Sequence, residues 1–180
     1  MRVPDKIVQS VFEPLWDVYE GSVRLKTLKE LERSQWLSPE EMQAAANLKL
    51  GLMCEHAFST SPFYRRRFEE SGITPSSIKC IEDLSALPLL TKMDIRESLE
   101  EILSTKYAKG DLVPAKTGGS TGIALEIFCD ARGIQMRNAA ALRSDRWSGW
   151  ELGQPMAAIW GNPPVAVTLK NKLRGYLKDR

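Results

Sequence analysis

The chain has 180 residues, of which 43% are apolar and 27% charged, and a domain of that size can bury roughly 70% of the surface its unfolded form exposes. These fractions exclude a disordered polyelectrolyte. Lys and Arg number 25 against 23 Asp and Glu; the net charge of +2 lacks the positive field of nucleic-acid binders, so no nucleic-acid partner is expected.

No stretch approaches the ~18 consecutive apolar residues of a membrane span. Cys54, Cys80 and Cys129 are odd in number and scattered, without the C-x-x-C spacing that places two thiolates on one zinc ion, and they read as buried or inert thiols. Asp5, Glu13 and Asp17 interrupt any early apolar run, so no secretory leader is expected and the cytoplasm is the expected compartment.

Residues 1–105 read as a mainly helical segment. Ser38-Pro39-Glu40-Glu41 is a capping box with proline at the first helical position, so a helix starts there. Ala45, Leu48 and Leu52 follow at spacings of three and four, which predicts a stripe facing a core. Ser61-Pro62-Phe63-Tyr64 repeats the serine-proline entry, and Gly72 supplies the left-handed residue that ends many helices, giving a short helix over 62–71. Within it, Arg65-Arg66-Arg67 followed by Phe68-Glu69-Glu70 reads as a solvated helix face without assigned function. Thr91-Lys92-Met93-Asp94 marks another capped start.

From 106 to 180 the texture changes to the start of an α/β arrangement. Leu112-Val113 leads into Lys116-Thr117-Gly118-Gly119-Ser120-Thr121-Gly122. Beyond it, Leu125, Ile127 and Cys129 alternate with Glu126, Phe128 and Asp130, the period-2 pattern of a strand with two differently solvated faces. Residues 131–149 suit a helix, 155–160 a further strand, and 165–178 a basic amphipathic helix. Strand and helix alternate, which predicts an α/β fold class whose first half is helical.

The segment with chemical potential is Thr117 to Gly122. Glycine, lacking a Cβ, lets successive backbone N–H groups approach an anion, and the hydroxyls of Thr117, Ser120 and Thr121 add donors that rotate toward phosphate oxygens, with Lys116 adding a charge just before. No lysine follows Gly122, so the run is not a Walker A loop, and the G-x-G-x-x-G spacing of dinucleotide folds is absent. Residue pattern alone leaves two readings open: an ordinary hairpin connection, the commoner case, and a phosphate cradle.

Thr117 to Gly122 resembles the Thr/Ser-rich phosphate loop of the adenylate-forming superfamily, written [ST]-[SG]-G-[ST]-T-G-x-P. Gly118 stands where serine is commoner, and Ala124 where proline is usual. Ser61-Pro62-Phe63-Tyr64-Arg65, Ile81-Glu82-Asp83-Leu84, Leu87-Pro88 and Thr91-Lys92 are similar, in the same order, to landmarks of the N-terminal half of phenylacetate-CoA ligase and CapK-like proteins, over roughly residues 40–160. The resemblance implies that 106–180 opens the α/β nucleotide-binding subdomain of the large N-terminal domain. It implies a two-step reaction in which a carboxylate attacks the α-phosphate of ATP-Mg2+ to give an acyl-adenylate and pyrophosphate; a thiol, commonly that of CoA, or another nucleophile then takes the acyl group. Thr117, Gly118, Gly119, Ser120, Thr121 and Gly122 would hold the ATP phosphates. Family members are more than twice as long, and their adenine, ribose and metal motifs and catalytic lysine lie further along. The expectation is therefore a truncated acyl-activating protein, inactive alone. The alternatives are a non-catalytic interaction module and one half of a split enzyme completed by a downstream-encoded chain.

Other candidates carry less. His56, the lone histidine, has no nucleophile or acid at a telling spacing and reads as a satisfied or surface side chain. Glu82-Asp83 and Glu100-Glu101 are adjacent acids that point apart on a helix. Trp147, Trp150 and Trp160 read as core or interface aromatics.

Overall fold

The computed structural model describes residues 4–116 and 125–156, which group into two compact units, one of Met1–Gln35 with Arg132–Arg180 and the other of Trp36–Ala131. The order of elements is the expected one: a helical first part, then a pair of strands, then a helix.

In the second of these units, α4 spans Pro39–Thr60 and begins at the predicted box. Ser38 Oγ accepts the Glu41 N–H at 3.2 Å while the Glu41 carboxylate accepts the Ser38 N–H at 2.9 Å, satisfying two donors that a helix start leaves open. The predicted core stripe does not hold. Leu48 and Leu52 are 67% and 65% exposed, and the face that packs is Leu50, Cys54 and Phe58. Both rows have helical spacing, because apolar side chains encircle α4; periodicity cannot choose between two apolar faces. The choice is made by α5 (Pro62–Glu70) and the 3-10 turn Pro75–Ser77. They bring Phe68 and Ile78 onto Cys54, with the Phe58 and Phe68 rings edge to face at 5.8 Å.

Helix α5 starts where Ser61 Oγ accepts the Tyr64 N–H and stops before Gly72, whose φ of 66° is the left-handed value a glycine adopts without a Cβ penalty. Buried Ser61 also donates to the Glu101 carbonyl at 3.0 Å. A 3-10 turn follows at Ile81–Ala86, then α6 (Lys92–Glu97), capped as predicted by reciprocal Thr91 and Asp94 bonds of 3.1 and 2.7 Å. Next comes the single turn α7 (Leu99–Ile102).

Strands β1 (Val113–Lys116) and β2 (Glu126–Cys129) pair antiparallel, with Val113 opposite Cys129 and Lys116 opposite Glu126. The expected contrast between two faces of β2 is missing: Ile127 is exposed while its neighbours Glu126 and Phe128 are half-buried. A two-stranded ribbon has no covering layer to bury one side.

The first unit opens with a helical stretch made of α1 (Asp5–Ile7), a wider π turn (Val8–Phe12) and α2 (Glu13–Tyr19), followed by α3 (Arg24–Ser34). Helix α8 (Ala131–Trp147) fills most of the predicted 131–149 range. Buried Arg24 donates to the Glu13 carboxylate and, from Nε and Nη2 at 3.1 and 2.8 Å, to Asp17 Oδ1. Asp17 Oδ2 meanwhile accepts the Leu25 N–H at 2.9 Å, closing the start of α3. Burial opposes the charge on Arg24, but the Glu13 and Asp17 carboxylates outweigh it and the guanidinium pKa is raised. From α8, Gln135 accepts the Val23 N–H, Arg146 pairs with Glu32, and the Trp147 indole donates to Gln35. Pro155 and Met156 form no strand; residues 157–160 and the predicted helix over 165–178 lie outside the described residues.

Candidate functional site

The six predicted site residues, Thr117 to Gly122, lie outside the described residues, and the structure reports on the ends that carry them. The last ladder pair, Lys116 opposite Glu126, sets the two strand ends side by side. Residues 117–125 separate them, a longer connection than the two to five residues of a tight hairpin. Lys116, read from the sequence as adding a charge beside the loop, pairs with Glu126 across the ladder, Nζ to Oε1 at 3.7 Å, with the Lys116 side chain largely solvated and that of Glu126 half-buried.

The ribbon is tied to the helical residues before it. Lys109, in a 3-10 turn at Lys109–Asp111, sits 5.4 Å from the centre of the Phe128 ring and pairs with Glu100 of α7. Glu101, the next residue, pairs instead with Arg66 of α5 at 2.7 Å. The two adjacent acids thus serve different partners and do not share a proton, as their spacing predicted.

The arginine run is more than a solvated face. Arg65 donates from Nε and Nη2 to the Phe58 and Ser59 carbonyls at 3.1 and 2.9 Å, supplying donors for carbonyls that the end of α4 leaves open. Arg67 donates to the Pro88 and Leu89 carbonyls at 2.6 and 2.8 Å and lies 5.2 Å from the Phe63 ring centre. With Arg66 on Glu101, three consecutive side chains hold three different segments to α5. A sequence reading sees only their charge, because each partner is a backbone carbonyl or an acid far along the chain.

Beside this junction, Ser59, Thr60, Pro62, Arg65, Arg66, Glu69 and Thr105 line a recess of about 340 Å³. Thr60, buried at its edge, accepts the Thr105 N–H on its carbonyl at 2.8 Å and donates its hydroxyl to the His56 carbonyl at 2.7 Å. The His56 ring approaches that hydroxyl at 3.4 Å. Among the described residues no group of three or more His, Cys, Asp or Glu is placed to hold a metal ion.

The thiols differ in environment. Cys54 is buried and its pKa is pushed up by burial; the Cys80 thiol is raised by its bond to Glu82, so neither is poised as a thiolate. Trp147 is mostly exposed, with Arg143 4.8 Å from its ring centre, and Trp150 donates to the Gln154 carbonyl. Trp160 lies outside the described residues. Among them, no helix is long and apolar enough to cross a membrane.

No family-level profile matches the chain. Individual proteins do. A phenylacetate-coenzyme A ligase of Escherichia coli K12 is 32% identical over 72 residues, covering 40% of this chain and 16% of the ligase. One from Aromatoleum evansii is 26% identical over 133 residues, covering 73% of this chain and 30% of the ligase. Protein CapK of Staphylococcus aureus is 26% identical over 113 residues, covering 63% and 24%. A crystal structure of 2-hydroxyisobutyryl-CoA ligase, in complex with 2-HIB-AMP and CoA in the thioesterification state, overlaps 53% of this chain and 21% of its own at 27% identity, with a TM-score of 0.45.

These sequence matches make the chain a partial relative of the adenylate-forming, acyl-activating proteins. The curated proteins it is similar to are phenylacetate-CoA ligases and CapK. The matched stretch spans less than a third of the length of these relatives.

Proposed function

We propose that this chain is part of an AMP-forming acyl-activating protein and that Thr117, Gly118, Gly119, Ser120, Thr121 and Gly122 hold the phosphates of ATP. The single observation that supports this most is the similarity to phenylacetate-CoA ligases and CapK, which extends over 73% of the chain in the Aromatoleum protein. The donor set agrees with the ligand: three hydroxyls and three glycines, with no carboxylate among them, suit an anion. The antiparallel pairing of the loop's flanks also supports it, because two hydrogen-bonded strands give the connection fixed ends.

Bound ATP would supply an activated α-phosphorus for a carboxylate to attack with pyrophosphate leaving, and the CoA thiol would then take the acyl group with AMP leaving. The residues of this chain contribute backbone N–H and hydroxyl donors to the polyphosphate. Mg2+ enters only with ATP in this reading, and no step is assigned to a metal held by the described residues. Turnover requires, in this proposal, the remaining length that the relatives possess, in the same or in a separately encoded polypeptide. A second reading, a non-catalytic interaction module, is favoured by one observation: Met42, Leu48, Leu52 and Met53 form an exposed apolar face on α4.

The test is nucleotide binding, read by calorimetry or by 31P NMR of ATP. Each charge-assisted hydrogen bond is worth about 1.5–3 kcal/mol, so Ser120→Ala with Thr121→Ala should weaken ATP binding on the order of hundreds- to thousands-fold. Equal affinity in the double variant, or no ATP binding by the wild-type chain, would remove the loop from the site. Carboxylate-dependent ATP–pyrophosphate exchange then asks about chemistry, and turnover by the isolated chain at ordinary enzyme rates would refute the need for further polypeptide.

A further inference from the structure

Burial does little to hold the ribbon of β1 and β2 in place. Val113 and Ile127 are 48% and 39% exposed, and among the described residues no helix lies broadly against either strand. A two-stranded ribbon without a covering layer is marginal by itself, so discrete tethers set its direction. The proposed phosphate loop departs from this ribbon at Lys116 and returns to it at Glu126.

One tether is built from described residues. Lys109, in the turn just before β1, places Nζ 5.4 Å from the centre of the Phe128 ring and pairs with the Glu100 carboxylate of α7. Phe128 stands opposite Pro114 and two residues from Glu126, so both share one face of β2. Behind Glu100, α7 and the residues after it are fastened to the junction of α4 and α5. The Glu101 carbonyl accepts the hydroxyl of buried Ser61 at 3.0 Å, the Glu101 carboxylate pairs with Arg66, and the Thr105 N–H donates to the Thr60 carbonyl at 2.8 Å. The Lys109 ammonium therefore joins the strand that receives the loop to a segment fixed on the helices.

We propose that Lys109 is a positioning residue: by engaging Phe128 and Glu100 together it sets the direction of the ribbon, and so holds the strand ends from which the phosphate loop departs. The inference rests on the reading of Thr117 to Gly122 as that loop. Lysine suits the task, because a compact ammonium on a flexible four-carbon stem can face a ring and a carboxylate at once. A direct contact of Lys109 with phosphate fits less well, since its ammonium is already shared by those two groups. The recess beside Arg65 and Arg66 offers less, because their guanidiniums already serve backbone carbonyls and Glu101.

The test pairs hydrogen exchange of the β1 and β2 amides, read by mass spectrometry on the full chain, with ATP binding by calorimetry. Both contacts are partly solvated, with Lys109 50% and Glu100 71% exposed. Lys109→Met should therefore speed ribbon exchange and weaken ATP binding only about three- to tenfold. Lys109→Arg, which keeps a cation by the ring, should restore both. Lys106→Met, which removes the same charge from an exposed neighbour, should change neither, and a Phe128→Leu effect should shrink when combined with Lys109→Met. A wild type that binds no ATP removes the loop assignment, while ribbon exchange still reads the tether: faster exchange in Lys109→Met upholds it and unchanged exchange overturns it. The proposal is also overturned by a loss of ATP affinity of about a hundredfold, which marks a direct phosphate contact, by an arginine variant that fails to rescue, or by a Phe128→Leu effect indifferent to Lys109→Met.

Discussion

Replacing Arg24 with methionine removes the guanidinium that Glu13 and Asp17 share among the described residues while leaving both carboxylates in place, 0% and 7% exposed. Three hydrogen bonds to carboxylate oxygens are lost at once. Breaking a buried ion pair by deleting one partner costs about 3–5 kcal/mol, because the remaining charge stays out of water without that cation. Against a typical total stability of about 5–15 kcal/mol, that is a large share. With a urea m-value of about 2 kcal/mol/M, the unfolding midpoint should fall by roughly 1.5–2.5 M. Tryptophan fluorescence is the suitable signal, since Trp16, Trp147 and Trp150 all belong to the same unit as the cluster. The triple variant Glu13→Gln, Asp17→Asn, Arg24→Met should recover most of the loss, because neutral side chains carry a much smaller desolvation cost. An Arg24→Met midpoint close to wild type, or a triple variant no better than the single one, would refute the view that uncompensated charge is what matters there.

Ser38→Ala should cost about 1 kcal/mol, as the Glu41 N–H loses the Ser38 Oγ acceptor at an exposed helix start, and chemical denaturation will measure it. Gly153→Ala should destabilise by about 1–3 kcal/mol. Its φ of 93° disfavours any L side chain, and an added Cβ would stand 2.9 Å from the Asp5 carbonyl oxygen and 3.3 Å from Val8; a thermal scan will read the loss. Asp83, through the Lys79 and Cys80 N–H groups, and Asp94, through that of Thr91, are held below the usual carboxylate range. Their stabilisation is therefore full above the ordinary Asp value of about 3.9 and is lost as pH falls through their depressed folded values. Asp83→Asn with Asp94→Asn should flatten the slope of stability against pH in that acid range and leave it unchanged near neutrality.

The elements that were legible in the sequence are those decided locally. Ser38, Ser61 and Thr91 start helices, and Gly72 takes the left-handed turn after one, because each acts within four residues of itself. The order of Ser61-Pro62-Phe63-Tyr64-Arg65, Leu87-Pro88, Thr91-Lys92 and the glycine segment pointed to the same family that the sequence comparisons later returned. The cluster of Glu13, Asp17 and Arg24 went unread, although two carboxylates one helical turn apart, with an arginine seven residues on, were a usable signal.

Sequence by itself determined where α4, α5 and α6 begin and where α5 ends, that two strands flank the glycine segment, and which superfamily the chain resembles. Tertiary structure alone decided which side of α4 is core, since apolar residues surround that helix and the contacts of Phe68 and Ile78 with Cys54 break the tie. It also decided that Arg65, Arg66 and Arg67 bind three separate segments and that the N-terminal helix turns its acids inward. Capping and turn chemistry act between neighbours in the chain, whereas burial is settled by partners on other elements, as with Phe68 on Cys54 and Ser61 on Glu101.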